Sequence, residues 1–446
     1  MSVTMKEWDS QPVVDFLGIF PGRKPDRLMV SGVLNVAQRA GGGVLVVEGK
    51  ETVGPITVAV KGRPGPEPAT MSIEHLVTRS EDEIHIETLS INAERPTGRA
   101  DHVAMKGNAR WGLRPHLKLR GSVDALDTDW YAALTAAPPA DQTREAAAQQ
   151  PAMKEQEAAF ALPLDLDIDL AIGTLIYRNL AIGRGRLIAT GDGQRMQATL
   201  EPTGVAGGSV QGTFTIAQKG GQQDMTWEAK GNALDVGLLM KALLNEPEPR
   251  IIGLGRFITS GKGRGRGEAL RNSLAGTAIV DIENGRFTKS PLMEFIATQT
   301  RIEEFQGAEF KTLHGELHLK DGWINLDQTR AIGSMYAVEA GGKIGLDGQL
   351  DAQFSPKVGP AFSTHVKIPC LDQFAKASDG LTVLPVTVTM KGSAANPEFG
   401  TKVQTAGAAK RTGGELVGVI TNLLTGCQGG DAAEKPALPL FDRKKK

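Results

Sequence analysis

The sequence predicts a mainly β protein, built on a long twisted antiparallel sheet that curls into a groove or partial barrel, with a few short helices and a C-terminal amphipathic helix. The first observation is residues 164–172, where Leu or Ile occupies every second position and acids fill three of the gaps. Successive side chains of a strand point to opposite faces, so this segment has one apolar wall and one solvated wall. The second is glycine, at 54 of 446 residues, or about 12% against a typical share of about 7%. The third is an aromatic share of only 5%, which favours a repetitive sheet over a compact, aromatic-rich core.

Residues 1–134 are predicted to form an N-terminal β region. Short β-rich runs alternate there with Gly, Pro and Asn clusters, which is the pattern of strands joined by turns. We expect a linker at 135–161, where Ala, Pro, Gln and Glu dominate without a periodic apolar stripe. The β-rich runs are 28–36, 44–48, 56–60, 84–89 and 117–119.

Residues 162–407 are predicted to form a second, C-terminal β-groove domain. Its glycine pairs at 207–208, 220–221 and 341–342 are typical of hairpin turns, which need positive φ. Short helices are expected near 128–134, 236–244, 290–300 and 414–424.

A repeated sequence pattern supports two of these helices. A strand, a glycine and then Leu-Asp precede a short apolar stretch at Asp127 and again at Asp235, with a weaker copy at Asp372. Aspartate is a favourable N-cap, because its carboxylate accepts the unpaired amides of the first helical turn. The sequence therefore predicts a sheet segment closed by a helical turn, used three times.

The end of the chain is predicted to be an amphipathic helix at 408–426 and a disordered basic tail at 427–446. Residues 415–424 place apolar side chains at helical spacing over about three turns, which is too short to span a bilayer. We interpret this helix as a plug on the end of the sheet, and a membrane-surface contact is the alternative.

Charge and composition restrict the possible partners. With 50 basic and 51 acidic residues, no global charge favours nucleic acid. Cys370 and Cys427 are too few for a disulfide framework. The chain contains no run of about 18 apolar residues and no signal peptide at its start. If the protein works outside the cytoplasm, we therefore expect its targeting signal and membrane anchor in elements not in this chain.

Several strings invite a catalytic or metal-binding interpretation, and each has a simpler one. Residues 261–267 alternate glycine with Lys and Arg but lack the spacing of a phosphate loop, so we predict a flexible basic turn. Asp165, Asp167 and Asp169 lack the glycine of a calcium loop and are predicted to form a solvated strand face. His314 and His318 share a strand face but lie about 13 Å apart at strand rise, too far to chelate one ion. No catalytic residue, metal or cofactor is predicted.

Residues 113–424 resemble the AsmA-like family. The matching elements occur in order: the stretch 126–130, the Ala/Pro/Gln linker, the Leu-Asp alternation, the stretches 175–180 and 207–212, the second Leu-Asp unit at 234–239, the glycine-rich segment 263–276, the stretch 282–287 and the terminal amphipathic segment. The resemblance implies a periplasmic β-groove, associated with the inner membrane, whose apolar interior carries phospholipid or another acyl lipid. It implies a non-enzymatic role in lipid transport and outer-membrane biogenesis. This chain departs from the family in lacking an N-terminal anchor.

Two interpretations of the apolar strips stay open. In the first, they line a lipid groove. In the second, the same residues make a closed core. A scaffold that binds envelope proteins through its sheet edges is the alternative function. The groove candidates are Leu164, Leu166, Ile168, Leu170, Ile172, Leu317, Leu319, Val386, Val388 and Met390.

Overall fold

The computed structural model describes most of the chain outside the linker and the C-terminal tail. The predicted linker (apart from Thr135), the third Leu-Asp unit, both cysteines, the predicted C-terminal helix and the basic tail lie outside the described residues. The described residues are 1–9, 29–39, 43–56, 68–96, 98, 100–112, 115–135, 164–219, 222–244, 248–288, 290–300, 303–359, 376–377, 379–384, 386–393 and 396–403.

The described residues form one continuous sheet of 22 strands, which confirms the predicted mainly β class. The strands of the N-terminal region are β1 (Ser2–Asp9), β2 (Met29–Gln38), β3 (Leu45–Ile56), β4 (Ala69–Arg79), β5 (Glu83–Glu94), β6 (Ala100–Arg110) and β7 (His116–Asp127). The central strands are β8 (Asp165–Tyr177), β9 (Leu180–Ile182), β10 (Gly185–Asp192), β11 (Arg195–Val205), β12 (Gly208–Lys219), β13 (Gln222–Asp235), β14 (Ile251–Arg264) and β15 (Ala275–Phe287). The last strands are β16 (Glu309–Lys320), β17 (Trp323–Ile332), β18 (Tyr336–Gly345), β19 (Gln349–Val358), β20 (Thr382–Val383), β21 (Val386–Ser393) and β22 (Asn396–Val403).

Four short helices accompany the sheet in the part of the chain that the structure describes. Three of them match predicted positions, and the helix from Gly267 was not predicted. A 3₁₀ turn at Glu303–Phe305 follows the last helix. The helices are α1 (Thr128–Thr135), α2 (Val236–Leu244), α3 (Gly267–Ser273) and α4 (Pro291–Thr300).

The sheet is mostly antiparallel, as predicted, and the described strands contain one parallel pairing. Strands β1 to β7 form an antiparallel meander, and β8 to β22 continue antiparallel. The two halves meet where β7 pairs with β8 in parallel, with Leu119 opposite Ile168. Parallel neighbours need a connection of a dozen residues or more, and residues 128–164 are long enough to supply it. We call the β7–β8 pairing the parallel seam.

The helices that end β7, β13 and β15 all lie at the same rim of the sheet, because these three strands run in the same direction. Each of them covers one buried cluster. Trp130 of α1 packs with Ile56 and Ala69, and Ala242 of α2 packs with Leu180 and Ala206. The largest cluster lies under α4. We call this edge the helix rim.

Aspartate capping explains where two of these helices begin. Asp127 Oδ1 accepts the backbone amides of Asp129 at 3.1 Å and Trp130 at 3.2 Å. Asp235 Oδ1 accepts the amide of Leu238 at 2.9 Å. The two stronger copies of the predicted Leu-Asp unit are therefore confirmed.

Of the three predicted glycine-pair hairpins, the one at 207–208 is present, the one at 341–342 is not, and the pair at 220–221 lies outside the described residues. Ala206 and Gly207, both at positive φ, form the two-residue turn between β11 and β12, as that loop type requires. The prediction for 341–342 was wrong, because both glycines lie inside β18. A Cβ on Gly342 would come within 2.3 Å of the Asp351 carbonyl oxygen, so this glycine permits a close approach of β19.

Candidate apolar binding face

The register of the sheet gathers the alternating Leu and Ile residues of β8 onto one surface. Across the parallel seam, Leu119 lies beside Ile168. On the antiparallel side, Leu187 lies beside Leu170. Paired residues share a face, so the apolar wall of β8 continues onto both neighbouring strands. We call this surface the apolar face.

The apolar face extends across ten successive strands without a charged residue in its central row. The row starts at Ile168 on β8 and ends at Ile344 on β18. Two glycines in its middle face the aromatic side chain of Trp227. The row is Ile168, Ala189, Ala198, Phe214, Trp227, Gly261, Gly276, Leu319, Ile324 and Ile344.

Most large side chains of this face are half-buried rather than buried. Leu166, Ile168, Leu170 and Ile172 all keep part of their surface accessible, as does Trp227. In a closed core such side chains would be almost fully covered. Over β8 to β18 the sheet therefore presents a wall that the described residues leave partly open.

The opposite face of the same strands is an ion-pair surface. Asp169 on β8 receives two hydrogen bonds from Arg186 on β10, both at 2.7 Å. The hydrogen bond from Arg186 holds the pKa of Asp169 below its usual value. Asp167 pairs with Arg120 at 2.6 Å. Two of the three aspartates predicted to be merely solvated, Asp167 and Asp169, are thus paired with arginines, and the two faces of the sheet differ sharply in chemistry.

The groove candidates fall into two groups. Leu164 lies just before β8 and lines a shallow cavity with Leu166 and Met196. The strand candidates that lie half-buried on the apolar face are Leu166, Ile168, Leu170, Ile172, Leu317 and Leu319.

The second group belongs to the core under α4. Val386 is 4% exposed and Val388 is 0% exposed, in a cluster with Met293 and Ile296 of α4. Met390 is partly buried against the same cluster. Helix α4 covers the apolar face here, so Val386 and Val388 lie in a closed core, which the sequence left open as the alternative.

Aromatic residues of the apolar face escaped the sequence prediction. Trp227 packs against Gly261 and Gly276, where an added Cβ would come within 2.2 Å and 3.2 Å of its ring. Phe257 covers Gly231 in the same way. Glycine on a strand often marks such a close approach. The sequence does contain a signal for this packing. Glycines at 261, 263 and 265 lie two residues apart, so one face of the strand has no side chains there and can accept a large neighbour.

The prediction of a flexible turn at 261–267 was therefore wrong for most of that segment. Strand β14 continues to Arg264, and Arg264 pairs with Asp224 of β13 at 2.6 Å. Only Gly265 and Arg266 separate the strand from α3. Because Gly261 and Gly263 have no Cβ, they leave room on this strand for the Trp227 ring and for the leucines of α3 and its C-cap.

The histidines that invited a metal interpretation have separate partners. His314 Nδ1 lies 2.7 Å from Asp281, and His318 Nδ1 lies 2.8 Å from Asp327. The hydrogen bond to Asp281 raises the pKa of His314. Within the described residues, no group of three His, Cys, Asp or Glu side chains is arranged to hold a metal ion.

Comparison with protein-family models, with curated proteins and with solved structures finds no match. In the described part of the chain, no helix has the length and apolar character needed to cross a membrane.

Proposed function

We propose that this protein is a non-enzymatic lipid-binding or lipid-transfer module of the cell envelope, which holds acyl chains on the apolar face. The observation that carries the proposal is the half-buried state of the large apolar side chains across β8 to β18. Exposed apolar surface costs about 25 cal/mol per Å² in water, and soluble proteins seldom leave a contiguous patch of this kind uncovered. An acyl chain lying on these rows would remove that cost.

The dimensions of the row suit this ligand. Ten strands at a spacing of about 4.8 Å place Ile168 and Ile344 about 43 Å apart along the sheet, if curvature is ignored. The hydrocarbon core of a bilayer is about 30 Å thick and contains two opposed acyl layers, so one chain needs about 15 Å. The row is long enough for more than one chain, as a transfer path requires.

Lipid mass spectrometry on protein purified without detergent tests the proposal. We expect phospholipid at one molecule per chain or more. The double substitution Ile168→Asp and Leu170→Asp should remove it, because both side chains lie on the apolar face. Ala171→Asp is the matched control, since Ala171 lies on the same strand but faces the exposed ion-pair surface. Full lipid occupancy in a folded double variant would contradict the proposal.

A scaffold is the second candidate, and the sheet edges favour it. In the described residues, β1 pairs with β2 alone and β22 pairs with β21 alone. Such edges present unpaired backbone groups that recruit partner strands. A lipid-free protein whose complex with one envelope protein survives the Ile168→Asp and Leu170→Asp substitutions would favour this function over lipid binding.

The cellular location follows from the resemblance to the AsmA-like family alone. We propose a periplasmic position close to the inner membrane and a role in outer-membrane biogenesis. Fractionation of the native host with an antibody against this chain tests it, and recovery in the cytoplasmic fraction would contradict it.

A further inference from the structure

Two ionisable side chains lie on the apolar face of the N-terminal strands. Glu51 on β3 is opposite Ile73 on β4, and His75 on β4 is opposite Gly49 on β3. The register connects Glu51 to the groove candidate Ile172. The connecting row is Glu51, Ile73, Ile91, Val103, Val123 and Ile172.

The two side chains form a pair that is largely withdrawn from water. His75 Nδ1 lies 3.3 Å from Glu51 Oε2, and the side chains are 19% and 11% exposed. Gly49 makes room for them, because a Cβ there would come within 2.1 Å of Glu51 Oε1 and 2.5 Å of His75 Cε1. Burial raises the pKa of Glu51, and the attraction and hydrogen bond of His75 offset part of that rise.

The surroundings of the pair are apolar on both sides. Strand β2 presents Gly32 and Leu34, and β5 presents Leu89 and Ile91. The next charged side chain on the same face of β4 is Arg79, four residues from His75, which is about 13 Å at strand rise. Among the described residues, the ion pairs of Glu51 and His75 are with each other alone.

We propose that Glu51 and His75 bind the primary ammonium head group of an amphiphile whose acyl chain lies on the apolar face. This inference rests on the proposed function. A pair that shares one proton has no net charge, and after losing that proton it carries one negative charge. An ammonium group beside the Glu51 carboxylate restores neutrality, and a buried charge is favourable only when it is paired in this way. An anionic head group would lie against the carboxylate, and no Lys or Arg lies on this face of β2, β3 or β5 to balance it.

Binding is therefore coupled to proton release. The proton that Glu51 and His75 share is released to the buffer when the ammonium group binds. The N–H groups of the ammonium then donate to the Glu51 carboxylate. Burial raises the pKa of Glu51, so affinity should rise with pH as this carboxyl group loses its proton, until the ligand itself deprotonates near pH 10, the usual range of an alkylammonium group.

Titration calorimetry tests the inference on the full chain, with dodecylammonium below its micellar concentration and 1-dodecanol below its solubility limit. We expect dodecylammonium to bind about tenfold or more tightly at pH 8, as a charged hydrogen bond allows. In Glu51→Gln this preference should fall to within about twofold. Glu74→Gln is the matched control, because Glu74 lies on the opposite face of β4 and pairs with Lys50, and it should keep the preference.

The outcomes separate the two proposals. Equal affinity of the wild type for both ligands, or an undiminished preference in Glu51→Gln, overturns the head-group site and leaves the lipid face standing. Failure of both ligands to bind the wild type overturns both. If Glu51→Gln does not fold, the wild type decides: its preference for dodecylammonium must be smaller at pH 4.5 than at pH 8, because burial raises the pKa of Glu51 above 4.5 and protonation removes the carboxylate charge. An equal preference at both pH values overturns the site.

Discussion

Arg120 on β7 donates from Nη2 to both carboxylate oxygens of Asp167 on β8, at 2.6 and 2.7 Å. Its Nη1 also donates to the Asp167 carbonyl oxygen at 3.0 Å. These bonds cross the parallel seam, where the N-terminal meander joins the rest of the sheet. The parallel seam therefore has apolar side-chain contacts on one face and the Arg120–Asp167 ion pair on the other.

We predict that Arg120→Gln lowers the free energy of unfolding by less than about 1 kcal/mol. Arg120 and Asp167 are 32% and 31% exposed, and ion pairs at such accessible sites contribute little because water screens them. Chemical denaturation of both proteins measures the difference. A loss above about 2 kcal/mol would show that the ion pair, rather than the apolar face, holds the seam.

Arg95→Met should be far more damaging, by about 3–5 kcal/mol, because it leaves buried carboxylates without a cation. The Arg95 side chain is 2% exposed, donates to Asp101, and lies 3.7 Å from Asp127. Hydrogen exchange should report the loss at β5 to β7 and at α1, whose N-cap is Asp127. The exposed Arg110 at the end of β6 provides the control, since Arg110→Met should change exchange in these strands very little. If Arg95→Met and Arg110→Met changed exchange equally, Arg95 would not be the cation that stabilises these buried carboxylates.

The sequence predicted the sheet and three helices because each rests on a local signal. Alternation identified β8, and aspartate caps identified α1 and α2. The parallel seam was not predictable in this way, because the direction in which β8 pairs with β7 depends on the path of the connecting residues 128–164. The packing of α4 over Val388 is likewise a tertiary contact, and the sequence of β21 does not indicate it. Sequence alone could therefore identify apolar strips but could not separate open from closed ones.

That separation has a measurable consequence at Ile296 and Leu170. Ile296 of α4 is 0% exposed in the core that this helix covers, so Ile296→Ala should cost about 2–5 kcal/mol of stability through the lost contacts and the cavity. It should leave lipid occupancy unchanged. Leu170→Ala should cost clearly less, because Leu170 is half-buried, and should reduce bound lipid. Denaturation and lipid mass spectrometry on both variants test this. The reverse pattern would place the binding surface under α4.

His314 should make stability depend on pH. The hydrogen bond to Asp281 raises the pKa of His314. Burial alone would raise the pKa of Asp281, yet hydrogen bonds from His314 and Arg256 bring it below its usual value. A raised histidine pKa contributes stability that is complete below about pH 6.5, the unfolded value, and is lost as pH rises through the folded value. The melting temperature of the wild type should thus exceed that of His314→Gln at pH 6, and the gap should narrow by pH 9. A gap that widens with pH would contradict this sign.

Trp227 and Gly261 should be energetically coupled. A Cβ at residue 261 would come within 2.2 Å of the Trp227 ring and 2.8 Å of the Ala275 carbonyl oxygen, so Gly261→Ala must displace the ring or the strand. Residues in contact show non-additive effects, of about 0.5–3 kcal/mol. In a double-mutant cycle with Trp227→Leu, the cost of Gly261→Ala should therefore be smaller when the indole is absent. Denaturation of the four proteins gives the coupling energy, and Gly263→Ala, next to Leu270 and Leu274 rather than Trp227, should show no such relief. Additive effects at Gly261 would mean that the backbone contact with Ala275, and not the indole, requires this glycine.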